Sequence, residues 1–327
     1  MAWKCLFPLE SLLTGIAPKY TIPRPELVPM GYGGEHSMIR TGIFLLLFSF
    51  PMGLCAQNAM CPPQTLSPAP SPTPLPSGAP TFSESLCRFG SREGERIFTD
   101  FGNLYNKNNL KYYGLALLGA GVLANTEMDH NFRNWYNQQV RSGFSNELSN
   151  VSRIPGEGQI FIPIMATSAL TYRFLQEWRG IPEHPLGEFT DRTMRGYLVG
   201  APALLTFQLV LGGDRPIHGA SYWRPFREDH GVSGHAFMGA VPFITAAQMT
   251  DKPCVKGLFY TLSAFTAWSR VNDNQHYLSQ VLLGWYLAYL SVRAVSETEA
   301  KRLLPQGMTI FPVTENNSVG AGLLYRY

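Results

Sequence analysis

Six apolar segments recur along the chain from about residue 110 onward, and turn-rich polar stretches at 129–157, 176–192 and 212–234 separate several of them. Their lengths favour helices over strands, and Gly, Ala and Ser recur inside them as at close helix interfaces. The pattern predicts an all-α fold, a bundle of about six core helices. The segments are 112–126, 159–174, 197–211, 235–249, 255–268 and 276–295.

The same segments raise the question of a membrane. Most are shorter than the ~17–25 apolar residues that usually span a bilayer, and Gln208 and Gln280 interrupt two of them. With charged residues at only 15% of the chain, there is little amphipathic alternation. We interpret the bundle as membrane-embedded and multi-pass, its polar residues facing an interior site on the periplasmic or exterior side. The alternative is a soluble periplasmic or secreted bundle.

The N-terminal part of the chain has a different pattern. Residues 1–37 are an unassigned extension, whereas Arg40, the apolar run 43–50 and a small residue at Ala56 or Ala59 predict a signal peptide over 38–59. One buried helix or a membrane anchor is the alternative. Translation starting at Met38 would make the preceding residues an over-extended reading frame.

Domain boundaries follow from composition. Residues 60–84 are rich in proline, which favours an extended linker, so folding is expected to begin near Phe82. We expect a helical domain over 85–300 and a C-terminal tail over 301–327. Within the tail, 308–313 and 320–327 predict a small β-hairpin around the turn at 315–318.

Charge and cysteine content exclude some functions. The formal net charge of +3 gives no reason to expect a nucleic-acid partner. The five cysteines form no C-x-x-C pair, which excludes a recognisable zinc or redox motif. A disulfide between Cys61 and Cys87 in an oxidising compartment stays open.

A first candidate motif reads Q-L-V-L-G-G-D-R-P, from Gln208 to Pro216. The apolar segment stops at two glycines and presents Arg215. Taken alone, an arginine at this position is a solvated side chain that complements the dipole at a helix C-terminus.

A second motif, V-S-G-H at 232–235, runs directly into the fourth apolar segment. Ser233 suits an N-cap, and Gly234 lets the backbone approach a ligand closely. Because backbone N–H groups at a helix start bind anions, His235 would stand at the mouth of an anion site. A simple capped helix is the alternative.

A third motif reads S-R-V-N-D-N-Q-H, from Ser269 to His276, and Gln280 follows four residues later. That spacing puts Gln280 on the same helical face as His276. A histidine on an apolar helix is more often a core residue than a catalyst. The recurrence of Arg and His in order, at helix ends, favours a common site.

Together the three motifs have the chemistry of phosphate transfer. Arg215 and Arg270 offer permanently charged, bidentate donors, and the Ser233–Gly234 turn offers backbone amides. Histidine acts as nucleophile or proton donor near neutral pH. Two histidines with two arginines therefore fit transfer through a phosphohistidine, with no metal and no other cofactor required.

The motif order resembles the type 2 phosphatidic acid phosphatase and vanadium-dependent haloperoxidase superfamily, over roughly residues 110–295. Its motifs run K-x6-R-P, P-S-G-H and S-R-x5-H-x3-D, and this chain carries Q-x6-R-P, V-S-G-H and S-R-x5-H-x3-Q. The family fold is an all-helical bundle. A competing register with Arg224-Pro225 as the first motif puts Ile217 at the lysine position, so we prefer Arg215.

The resemblance implies roles for matching residues. His276 would be the nucleophile and His235 would protonate the leaving oxygen. The phosphate oxygens would be held by Arg215, Arg270, Ser233, Gly234 and Gln208, as in other phosphoryl-transfer sites.

Three positions depart from the family pattern. Gln208 stands at the lysine position, Val232 at the proline, and Gln280 at the aspartate that orients the nucleophile. Loss of an orienting carboxylate costs ~10⁴ in rate in the serine-protease triad. Asp214, Asp229 or Asp273 would have to supply that carboxylate from elsewhere in space.

The expected function is a phosphatase-like hydrolase acting on a phosphomonoester or diphosphate, of a small molecule or a lipid. One alternative is a haloperoxidase that uses vanadate as its cofactor. The other is a non-catalytic, phosphate-binding membrane protein.

Overall fold

The computed structural model describes residues 81–303, 308–315 and 318–325, which lie in the unit of chain formed by 65–327. The predicted N-terminal extension and signal peptide, and almost all of the Pro-rich linker, lie outside the described residues. The described helices, in chain order, are α1 (Phe82–Leu104), α2 (Lys107–Asn125), α3 (Met128–Gln139), α4 (Gly143–Ser152), a short 3₁₀ helix (Ile154–Gly156), α5 (Gly158–Arg179), α6 (Pro185–Leu211), α7 (Gly234–Gln248), α8 (Pro253–Asn272) and α9 (Leu278–Leu303).

All six apolar segments are helical, in α2 and α5–α9, which confirms the all-helical expectation for the bundle. The polar stretches at 129–157 and 176–192 were predicted to be turn-rich, and this was wrong. α3 and α4 occupy much of the first, and the ends of α5 and α6 occupy most of the second. These helices bury polar side chains, such as Asp129 and Ser149, in hydrogen bonds, which an apolar pattern does not reveal.

The N-terminus of α1 is fixed by a capping box. The Thr81 hydroxyl accepts from Glu84 N at 3.3 Å, and the Glu84 carboxylate accepts from Thr81 N at 2.9 Å. Two of the orphan amides of the first turn are thereby satisfied.

The core lies where α9 packs against α1, α2, α6, α7 and α8. Small residues let the helices approach closely. A Cβ at Gly200 of α6 would lie 2.3 Å from the Ser291 hydroxyl of α9 and 2.6 Å from the Phe237 ring of α7. This close packing holds the C-terminal end of α6 beside the N-terminal ends of α7 and α9, which carry the three motifs.

Two helices, Pro185–Leu211 and Leu278–Arg302, are long and apolar enough to cross a membrane by length and composition. In their apolar windows, 50% of the first and 67% of the second is buried inside the protein. Core helices of soluble bundles have the same property, so the support for membrane association is weak. Membrane embedding and multi-pass topology stay predictions.

Near the C-terminus, the backbone forms two strands, β1 (Met308–Glu315) and β2 (Ser318–Tyr325). They pair antiparallel, with Met308 opposite Tyr325 and Glu315 opposite Ser318.

Candidate active site

The three motifs meet at one end of the bundle. Gln208 at the end of α6 donates from Nε2 to the carbonyl of Val232 at 3.1 Å. Ser233 N donates to the carbonyl of Gln280 at 3.0 Å, and Gln280 Nε2 donates to the carbonyl of Asp214 at 2.9 Å. Each motif therefore contacts another through a backbone carbonyl.

Two glycines turn the chain out of α6 into the loop 212–233. Gly212 has φ of 61° and Gly213 has φ of 115°, a region that side chains with a Cβ rarely adopt. A Cβ at Gly212 would also lie 2.0 Å from the carbonyl oxygen of Arg224. The paired glycines therefore allow the turn that places Asp214 and Arg215 over the start of α9.

The second motif starts α7 as predicted. The Ser233 hydroxyl is fully buried and accepts from Ala236 N at 3.3 Å, as an N-cap does. Val232, at the family's proline position, is also fully buried and belongs to the core. His235 follows in the first turn of α7 and is half-buried, beside the 3₁₀ helix: a Cβ at Gly156 would lie 2.9 Å from its carbonyl oxygen.

His276 lies in the turn before α9 and is 6% exposed. Its Nδ1 is 2.9 Å from Gln280 Oε1. The amide orientation of Gln280 is assigned by its other contacts, because Oε1 also accepts from Tyr277 N at 3.0 Å and Nε2 donates to Asp214. An oxygen at this position requires the proton on His276 Nδ1. The Nε2 atom of His276 is thereby left with its lone pair.

None of the three aspartates considered from the sequence pairs with His276. The Asp214 carboxylate accepts from Arg215 N at 3.2 Å, Asp229 pairs with His230 at 2.9 Å, and Asp273 accepts from the Ser149 hydroxyl at 2.7 Å. Within the described part of the chain, a neutral amide is thus the group that orients this histidine.

Burial lowers the pKa of His276 well below its usual value. The hydrogen bond to Gln280 opposes that shift, and the charges of Arg270 and Arg215 and the nearby His230 reinforce it. The imidazole of His276 therefore stays neutral, and nucleophilic, at pH values where a solvated histidine is already protonated.

The two arginines of the motifs sit differently. Arg215 Nη1 donates to the side-chain oxygen of Gln275 at 3.1 Å. Arg270 is 9% exposed, and its Nε is buried and has no hydrogen bond within the described residues. Burial lowers the pKa of Arg270, the charge of Asp273 opposes that shift, and the charge of Arg215 adds to it. Such a cationic site is completed by an anion.

The turn that carries His276 is braced by α3. Asn274 has φ of 53°, and its Oδ1 accepts from Arg133 Nε and Asn137 Nδ2, each at 2.9 Å. Asp129 accepts from Ser279 N at 3.1 Å and from the Ser279 hydroxyl at 2.6 Å, which caps α9. Burial raises the pKa of this carboxyl.

The helix that braces this turn, α3, was not predicted from the sequence. The signal was present, since Asp129, Arg133 and Asn137 are spaced by four and share one helical face.

His230 lies outside the three motifs and was not assigned to the site from the sequence. Its ring centroid lies 6.2 Å from that of His276, with the rings at 86°. Its Nδ1 is 2.9 Å from Asp229 Oδ1, a contact that lowers the pKa of Asp229. The site therefore holds a third histidine.

The alternative register of the first motif does not reach these groups. Arg224 is exposed, and Ile217 is 57% exposed. Arg215, in contrast, contacts Gln275 of the third motif. In the register that starts at Gln208, the residues of the first motif contact those of the second and third motifs.

A comparison with protein families shows what the chain is similar to. A family model described as the PAP2 superfamily matches residues 197–303, about a third of the chain, and that segment contains all three motifs. Neither a curated protein nor a solved structure matches the chain. Residues 197–303 are therefore similar to the PAP2 superfamily, which confirms the resemblance inferred from the three motifs.

Proposed function

We propose that the chain is a metal-independent phosphatase that hydrolyses a phosphomonoester or a diphosphate through a phosphohistidine at His276. The PAP2 family is associated with phosphatase-type activity in general. The observation that carries the proposal is the neutral, buried His276, whose Nδ1–H is held by Gln280 and whose Nε2 keeps its lone pair.

Substrate binding falls to the cationic groups of the pocket. The buried guanidinium of Arg270 takes phosphate oxygens, together with Arg215 and the backbone amide at Gly234. The Ser233 amide, expected from the sequence to join them, instead donates to the carbonyl of Gln280. Gln208 donates one of its two side-chain N–H groups to the Val232 carbonyl, so it supports the second motif. The arginines then hold the charge of the phosphate.

The first chemical step follows from these positions. His276 Nε2 attacks phosphorus and forms a P–N bond while the bond to the leaving oxygen breaks. His235, in the first turn of α7, gives its proton to that oxygen. The orienting role that a carboxylate plays in the family pattern is taken by Gln280, which fixes the tautomer without adding charge.

We further propose a phosphorylated small molecule or lipid as substrate and a membrane location, multi-pass, with the site on the periplasmic or exterior side. The two apolar helices α6 and α9 support membrane association weakly.

The test is phosphate release from a generic phosphomonoester by the purified full chain in the presence of a chelator. We expect release by the wild type and by His218→Ala, a change at an exposed histidine of the loop 212–233. We expect none by His276→Ala. Release at the wild-type rate by His276→Ala contradicts the proposal.

Two other results point to the alternatives. Halide oxidation that requires vanadate and peroxide identifies a haloperoxidase. Thermal stabilisation by phosphate or vanadate with no turnover identifies a phosphate-binding protein without catalysis.

A further inference from the structure

A phosphohistidine must be hydrolysed to return the enzyme to its starting state, and the water that attacks it has to lose a proton. His276 is the leaving group of that second step and is not available as its base, which leaves His235, deprotonated in the first step, and any further histidine beside the pocket. Gln280, the side chain hydrogen-bonded to it, is a neutral amide and accepts no proton at ordinary pH. This inference rests on the proposed function and concerns its second half.

His230 is a further histidine beside His276. Its ring faces that of His276 edge-on, with 6.2 Å between centroids. No hydrogen bond joins the two rings among the described contacts. The His230 side chain is 24% exposed, so it reaches both the pocket and solvent.

Asp229 sets the protonation of His230. A carboxylate only accepts hydrogen bonds when it is ionised, so the 2.9 Å contact with Asp229 Oδ1 puts a proton on His230 Nδ1. Nε2 is then the basic nitrogen. The Asp229 side chain is 59% exposed, and its carboxylate stabilises the imidazolium that forms when Nε2 takes up a proton.

The two histidines of this pair therefore differ in their partners. The Gln280 amide oxygen contacts His276 Nδ1, whereas the Asp229 carboxylate contacts His230 Nδ1. The carboxylate absent from position 280 is present on the neighbouring histidine.

We propose that Asp229 and His230 form a dyad that serves as the general base for hydrolysis of the phosphohistidine. Water oxygen forms a bond to phosphorus as the P–N bond breaks, and that electron pair returns to His276 Nε2. The water proton passes to His230 Nε2. The imidazolium, paired with Asp229, then releases the proton to solvent from its exposed side.

The charged and titratable groups around the dyad are Arg215 from the same loop, with Arg270 and His276 from across the pocket.

The test is rapid-quench kinetics on the full chain with a chromogenic phosphomonoester, comparing wild type, His230→Ala and the matched control His218→Ala. We expect His230→Ala to retain the first-turnover burst of leaving group, to lose steady-state turnover by on the order of 10²-fold, and to accumulate acid-labile phosphoenzyme. The control is expected to behave as wild type.

Asp229→Asn gives a second, milder arm at a more exposed side chain. We expect roughly tenfold slower turnover with the burst kept, and a pH–rate profile changed in the limb that reports the base. Wild-type turnover in His230→Ala overturns the dyad, as does loss of the burst together with turnover. In either case a His276→Ala variant without activity leaves the proposed phosphatase function standing.

Discussion

The two ends of α6 hold arginines in opposite surroundings. Near its N-terminal end, Arg195 is 2% exposed and donates to both carboxylate oxygens of Asp100, at 2.7 and 2.8 Å, and to Glu299. This region, the ionic cluster, joins α1, α5, α6 and α9. Its members are Glu93, Arg96, Asp100, Arg173, Glu188, Asp191, Arg195 and Glu299.

Beyond the C-terminal end of α6, the described hydrogen bonds of the Arg270 side chain include none to a carboxylate, although the charge of Asp273 raises its pKa. Arg215 contacts the amide of Gln275. About 16 residues of helix, or ~24 Å, separate Arg195 from the end of α6. Arg195 is thus hydrogen-bonded to carboxylates within the protein, whereas Arg270 lies in the pocket proposed to hold the phosphate.

This difference shows what each set of charges is for. A buried arginine with carboxylates around it fixes helix positions, because removing one partner leaves the other uncompensated. A buried arginine without them costs stability in the empty protein and recovers it when an anion binds.

The largest expected effect is at the ionic cluster. Arg195→Met leaves Asp100 and Glu299 buried without their partner, and we expect the free energy of unfolding to fall by about 3–5 kcal/mol. Arg302→Met is the matched control, since Arg302 also contacts Glu299 but its side chain is 40% exposed; there we expect about 0–1 kcal/mol. Denaturant unfolding measures both. Equal losses in the two variants would break the comparison.

At the active-site end, Arg270→Gln should lower activity and leave stability intact, the opposite of Arg195→Met. We expect kcat/KM to fall by about 10²–10³, as when a preorganised donor to the developing charge is removed, with the free energy of unfolding unchanged or higher. Arg227→Gln, at an exposed arginine of the loop 212–233, is the control and should leave both unchanged. A stability loss as large as that of Arg195→Met would show that Arg270 is structural.

A smaller effect is expected from Gln280→Glu. The carboxylate favours the imidazolium, so the pKa of His276 rises and the neutral nucleophile is lost at higher pH than in the wild type. We expect roughly tenfold lower kcat/KM near pH 5 and a smaller difference near pH 8. A pH–rate profile with the same acidic limb in both proteins would show that His276 is not the group that titrates.

The same pKa has a consequence for wild-type stability. His276 binds its proton less readily folded than unfolded, so the unfolded state takes up more protons as pH falls below about 6.5. Its contribution to stability is therefore lost progressively between that pH and its lower pKa in the folded protein. Because Gln280→Glu raises the pKa of His276 in the folded protein, it should narrow the pH range over which this stability is lost.

Much of the active site was predictable because its residues stand at helix ends that hydrophobic periodicity locates. The end of α6 at Gly212, the cap at Ser233 and the start of α9 after His276 all follow from segment boundaries. Because the three motifs occur together in one family pattern, they are predicted to form one site, and the PAP2 match over 197–303 contains all three.

What the sequence does not predict depends on loop conformation and on polar burial. The contact between the Gln280 amide and Asp214 requires the backbone path after Gly213, and the approach of His230 to His276 requires the whole loop 212–233. α1 and α3 were not predicted from the sequence, although they pack through apolar side chains such as Leu104 and Tyr136 as well as through ion pairs and hydrogen bonds.

The most direct test of the central claim is to locate the phosphoryl group. The full-length protein is quenched during turnover of a phosphomonoester under alkaline conditions, where a phosphohistidine survives, and its peptides are mapped by mass spectrometry. We predict one modified peptide, phosphorylated on His276 and absent from His276→Ala. Turnover without a phosphorylated peptide, or a phosphoryl group carried by another residue, would contradict the account.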